Sequence, residues 1–146
     1  MDIKKNEDSR LNDMEIVEKV MVGEDIIAII LRKEYDRPGP VFFTPNEFSQ
    51  QLGMLVHPKG KIVNRHRHKL VKREIFRTQE VLVILEGKIK VDLFDKEANL
   101  IKSVILTSGD TILLAQGGHS VEVLEDAKII EIKQGPYAGF DDKDFF

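Results

Sequence analysis

The chain has 146 residues, 42% of them hydrophobic and 32% charged, with 25 acidic against 22 basic side chains and a net charge of -3. That length suits one domain with a core of its own, and the interspersed, nearly balanced charge gives no electrostatic reason to bind nucleic acid or an anionic membrane. The absence of cysteine removes disulfides, thiolate metal sites and cysteine nucleophiles, so any metal would be held by nitrogen and oxygen.

The start, "MDIKKNEDSRLND", is charged and poor in apolar side chains, which reads as a loose arm over 1–13 ahead of a single domain over 14–146. It lacks the apolar core of a signal peptide, and no stretch approaches the roughly 20 apolar residues that cross a bilayer, so a cytoplasmic chain is expected. From Met14 onward, short runs of Val, Ile and Leu separated by Gly, Pro, Asn and Asp spell an all-β fold. In chain order the expected strands are 15–22, 26–35, 53–58, 61–68, 80–87, 88–95, 103–108, 110–116, 120–125 and 128–135.

Ahead of the third of these, "FTPNEFSQQLG" (43–53) reads as the one short helix. Thr44 is placed to cap it, Pro45 suits the first helical position, Glu47 sits at capping-box spacing and Gly53 ends the turn. So many short strands, recurring about every ten residues, fit a β-sandwich or a small barrel. In "KIKVDLFD", Ile89, Val91 and Leu93 share one face while Lys88, Lys90 and Asp92 share the other. "VLVILEG" is apolar on both faces and needs cover on both. A second sheet on one face and a partner subunit on the other would supply it, which points to a homodimer.

The candidate site residues begin with "NRHRH". On a strand His66 and His68 face together, while Arg65, Arg67 and Lys69 face away. The imidazoles can then stay neutral, the form that ligates a metal, without a cation beside them. The same spacing also describes two histidines exposed on a polar strand. Glu80 opens an apolar strand, where a carboxylate needs something positive to neutralise it. His119 falls on the same strand face as Val121 and Val123, an apolar and hence inward face. A single histidine there is more often a hydrogen-bonded core residue than a ligand, but three histidines and a carboxylate that all face inward in one barrel are harder to explain as core.

The spacing of these residues resembles the cupins, small β-barrels with a metal site inside. Their first motif is matched by Gly60, "KIVNR", His66, His68, Glu80, "VLVILE" and Gly87, and their second by Gly109, Asp110, "TILLA", Gly117 and His119. The resemblance covers about residues 53 to 134. It implies a double-stranded β-helix, or jelly-roll barrel, and the ligand set His66, His68, Glu80 and His119. Such a set of three imidazoles and one carboxylate suits a divalent first-row ion, whether iron, manganese, nickel, cobalt or zinc. The chain departs from the family in the eleven residues between His68 and Glu80, where a short spacer is usual. It also has Ala115 in place of a common proline, one residue fewer before His119, and Val123 where asparagine is frequent. These departures bear on the shape of the cavity more than on the metal.

The tail and "AQGGHSVEVLED" also look like those of a bacterial cupin subgroup associated with surface-polysaccharide biosynthesis. The "HRHK" strand is similar to that of cupin-fold nucleotide-sugar ketoisomerases, which typically lack the ligand glutamate and work without metal. Three functions are therefore expected as alternatives. The first is a metal-dependent enzyme acting on a small polar sugar or carboxylate, in polysaccharide or nucleotide-sugar metabolism. The second is a metal-independent nucleotide-sugar isomerase or epimerase, and the third a non-catalytic metal- or sugar-binding module.

Three further features have local readings. His57, beside Pro58, fits a turn better than the cavity. The spacer "KLVKREIFRTQ" is basic, and such runs are usually solvated surface, but Lys72, Arg73 and Arg77 are also candidates to hold a substrate phosphate or carboxylate. Phe140, Phe145 and Phe146 in the tail are suited to packing across the barrel mouth or on a partner.

Overall fold

The computed structural model describes residues 16–146, apart from the side chains of Phe140 and Asp141; the expected arm over 1–13 lies outside the described residues. The strands are β1 (Val17–Val22), β2 (Asp25–Leu31), β3 (Gly39–Phe42), β4 (Gly53–Val56), β5 (Glu80–Phe94), β6 (Leu100–Thr107), β7 (Thr111–Leu114) and β8 (Gly118–Lys133). All pairs are antiparallel. One six-stranded sheet runs β1-β2-β7-β5-β6, with β8 on the remaining edge of β5, and β3 and β4 form a separate ribbon.

The runs 80–87 and 88–95 form one continuous strand, as do 120–125 and 128–135. Along β5, Glu80 to Val83 pair with β7 and Lys88 to Phe94 with β6, while β8 follows β5 from end to end. The β5–β8 register shifts three times between Ile84 and Ile89, and bulges of this kind bend paired strands. Gly87 sits at the bend with φ +86, and a Cβ there would lie 2.1 Å from the carbonyl oxygen of Asp126. Both the left-handed backbone and the contact require glycine. The bend curls the sheet into a half-barrel.

The alternation in β5 is as expected: Ile89, Val91 and Leu93 are fully buried, packed with Ile30, Leu82, Ile84, Leu106 and Ile112. Each such side chain contributes roughly 1.5–3 kcal/mol by leaving water. The other face of "VLVILEG" is covered from within the chain around Val81, while Leu85 on that face stays exposed. Val81 packs with Ile29 and Leu113, and Phe43, Phe48, Leu52 and Val83 close over them.

Two expected elements are absent. Residues 43–53 form turns instead of a helix. The Thr44 hydroxyl, expected to cap the helix, donates to Oε1 of Gln51 and accepts from the amide of Leu52, while Nε2 of Gln51 donates to the carbonyls of Pro45 and Phe48. These side-chain bonds replace a helical ladder and hold Phe43, Phe48 and Leu52 against β5. The expected strand 61–68 also does not form, because 57–78 pairs with no other strand among the described residues. An isolated extended segment has no ladder to join.

Buried Asp110 locks the turn between β6 and β7 to β2. Its carboxylate accepts from Arg32 Nη1 at 3.0 Å, the amide of Lys33 at 3.1 Å, and the amide and hydroxyl of Thr107 at 2.9 and 3.3 Å. Asp110→Ala removes the acceptor of all four bonds, leaving Arg32 only the Ile105 carbonyl, and urea unfolding of the variant should show a loss of about 2–4 kcal/mol.

Candidate functional site at the mouth of the half-barrel

Glu80 opens β5, in register with Leu114 on one side and Lys133 on the other, and is only 7% exposed. His119, near the start of β8, pairs with Leu93 close to the far end of β5. A straight β5 would hold Glu80 and His119 about 40 Å apart. The curl instead brings His119 Nε2 to 3.3 Å from Glu80 Oε2. Gly117, at φ +75, fixes the turn before His119: a Cβ there would lie 2.3 Å from the carbonyl oxygen of Phe94. Beside it, Gln116 donates to the carbonyl of Ile26 at 3.2 Å and accepts from Arg77.

The pair opens into a cavity of about 630 Å³, whose wall also includes Gln116, Asp95, Lys96 and the tail from Asp142 to Phe146. The tail is held there by Thr78 donating to Asp142 at 3.1 Å, by Lys133 at 3.5 Å from the same carboxylate, and by the Phe146 ring edge-on to Phe94 at 5.3 Å. Phe146 thus touches the mouth through Phe94, and Phe145, though in the cavity wall, is largely exposed. The side chain of Phe140 lies outside the described residues.

The hydrogen bond from His119 holds the Glu80 carboxyl below its ordinary range. Burial opposes this, and the charges of His119, Lys133 and Lys143 reinforce it. Two donor atoms bound to one ion at about 2.0–2.2 Å each, on adjacent positions, lie about 3 Å apart. The Glu80–His119 separation therefore fits two ligands of a single metal.

The other expected ligands are elsewhere. His66 and His68 lie on the exposed segment with their rings 5.4 Å apart. His66 Nδ1 is 2.8 Å from the carbonyl of Asn64, and donation through that nitrogen leaves Nε2 available for a metal. Among the described residues, no three His, Asp or Glu side chains converge where an ion could sit. The expected inward face of His119, Val121 and Val123 does lie opposite Leu93, Val91 and Ile89, but it is exposed, since among the described residues nothing covers β8 there.

His57 is half-buried beside a turn in which the Lys61 amide donates to Pro58. Of the basic candidates, Arg77 reaches the cavity wall through Gln116, while Lys72 pairs with Glu74 at 3.7 Å in solvent and Arg73 is exposed. The linings supplied by Asp95, Lys96, Thr78 and Asp142 were not singled out from sequence. Only the aromatic tail gave a signal for that wall.

Fold and site together define an antiparallel β half-barrel with a carboxylate–imidazole pair at its mouth. No family model, curated protein or solved structure matches the chain. Among the described residues, no helix is long and apolar enough to cross a membrane.

Because the Glu80 carboxyl is depressed from 4.5 in the folded state, the stability its ionisation contributes is complete above that value and is lost as pH falls through the lower folded one. Denaturant unfolding across this acid range should show wild type losing stability relative to Glu80→Gln below pH 4.5. Parallel pH profiles would contradict the assignment.

Proposed function

We propose that this chain is a metal-binding protein of the cupin type, whose half-barrel completes as a double-stranded β-helix with His66, His68, Glu80 and His119 around one divalent first-row ion. Its activity is that of a metal-dependent enzyme on a small polar sugar or carboxylate, in polysaccharide or nucleotide-sugar metabolism. The observation that carries this reading is the buried Glu80 carboxylate 3.3 Å from His119, both facing one cavity.

A bound ion would supply Lewis acidity toward a substrate oxygen or an acidified water. The chain's own residues do the rest. Glu80 is held ionised by its neighbours, Gly117 sets the backbone that aims the His119 ring, and the cavity lies within the roughly 300–1,000 Å³ of small-molecule sites. Lys96, Asp95, Asp142 and Lys143 in its wall offer charged and hydrogen-bonding groups to a hydroxylated or anionic substrate. The cytoplasm is the compartment in which such a substrate would be met.

A second reading has one observation in its favour: the Glu80–His119 pair is already formed without His66 or His68. A carboxylate orienting an imidazole is a general acid–base arrangement, which a metal-independent isomerase could use, although Glu80 itself argues against the nucleotide-sugar ketoisomerases, which typically lack it.

Metal analysis of purified protein separates the two. Wild type should carry near-stoichiometric metal, and His66→Ala and Glu80→Ala should each lose it. Adding metal at roughly 100 times its Kd should stabilise wild type by about 2.7 kcal/mol in denaturant unfolding, with neither variant responding. Failure of wild type to hold metal under any loading, combined with turnover of nucleotide sugars by metal-free protein, would transfer the assignment to the second reading.

A further inference from the structure

The segment 57–79 that carries His66 and His68 has no place in its own barrel. Every residue from 58 to 78 is exposed, and Ile62, Val63, Leu70, Val71, Ile75 and Phe76 all stand in solvent. Structureless loops longer than about 12–15 residues are uncommon in compact domains and usually serve a function. Its C-terminal end is fastened: Gln79 accepts from the Ser49 hydroxyl and the Gln50 amide, and Arg77 donates to Gln116.

The barrel has a complementary defect. Among the described residues β8 pairs only with β5, so one edge of a 16-residue strand is unpaired. Val121 and Val123 on one face and Ile130 and Ile132 on the other are exposed beside it. A long, apolar, open edge is a template for another strand.

Charge matches as well. Residues 57–79 hold eight Lys and Arg against the single acid Glu74, whereas β8 holds Glu122, Glu125, Asp126 and Glu131 against Lys128 and Lys133. Within one chain the arm does not pair with the edge of β8 among the described residues, and Leu70 and Phe76 are almost wholly exposed. The occupant that brings both into use at once is a second copy, each giving its arm and receiving the other's. Residues 58–78 and the 16 residues of β8 together exceed the roughly 20–30 residues a side of a standard specific interface, and reciprocal exchange closes the assembly as a two-fold dimer.

We infer that residues 57–79 add as a strand to the open edge of β8 in a second copy of this chain, delivering His66 and His68 to the Glu80 and His119 of that copy. The metal site is then completed in trans, an inference that rests on the proposed four-residue ligand set; the strand exchange itself does not.

Two experiments keep these apart. The chain has no cysteine, so paired substitutions at exposed positions report contact directly. Arg67→Cys combined with Ser120→Cys, and in a second protein with Glu122→Cys to allow for register, should oxidise to a covalent dimer on a non-reducing gel. A disulfide within one chain, or no disulfide in either protein, would overturn the exchange. In the second experiment, a His66→Ala/His68→Ala chain and a Glu80→Ala/His119→Ala chain, differently tagged, are co-expressed and the heterodimer purified.

Neither variant alone should hold metal. The heterodimer should hold a single ion, because one mouth has all four ligands and the other none. A metal-free heterodimer from a wild type that does bind metal would overturn completion in trans. Covalent dimers from a wild type that never binds metal would uphold the exchange and overturn the metal site.

Discussion

Everything at the mouth depends on the bend that β5 and β8 make together at Gly87. Strands of 15 and 16 residues laid straight would keep their ends far apart and form a flat, two-sided ribbon. With Gly87 pressed against the Asp126 carbonyl, both strands turn at the same point and one half of β5 faces the other. The interior filled by Leu82, Ile84, Ile89 and Val91 and the approach of Glu80 to His119 are two results of that one curl.

The buried carboxylate is the costly group in this arrangement. Alone at the head of an apolar strand, Glu80 would favour its neutral form. His119 reverses the balance, with Lys133 and Lys143 behind it. The residues that assemble the mouth therefore also decide its charge. Asp110 plays a parallel part farther back, since its four accepted hydrogen bonds tie the β6–β7 turn to the strand after which Arg32 and Lys33 follow. It is a motif residue whose visible work is structural.

Local pattern was sufficient where local forces decide. The alternation of Ile89, Val91 and Leu93 gave their burial, while the 3.3 Å approach of Glu80 to His119 follows from a curl that no local pattern states. Pattern failed where a distant partner decides. The cap and breaker signals of 43–53 are overridden because Gln51 takes the carbonyls of its own turn and the apolar side chains are drawn onto Val81. Residues 61–68 have strand composition, but a strand exists only beside another, and sequence does not say which edge is vacant.

Two close approaches, Gly87 to Asp126 and Gly117 to Phe94, are made between main chains. The positions of Glu80 and His119 are thus set largely by backbone geometry and hardly at all by the identity of the surrounding side chains. Replacing Asp95, Lys96 or Phe146 in the cavity wall would alter its lining while the carboxylate and imidazole keep their separation. Such a division lets the lining of a cavity vary without moving the pair at its centre.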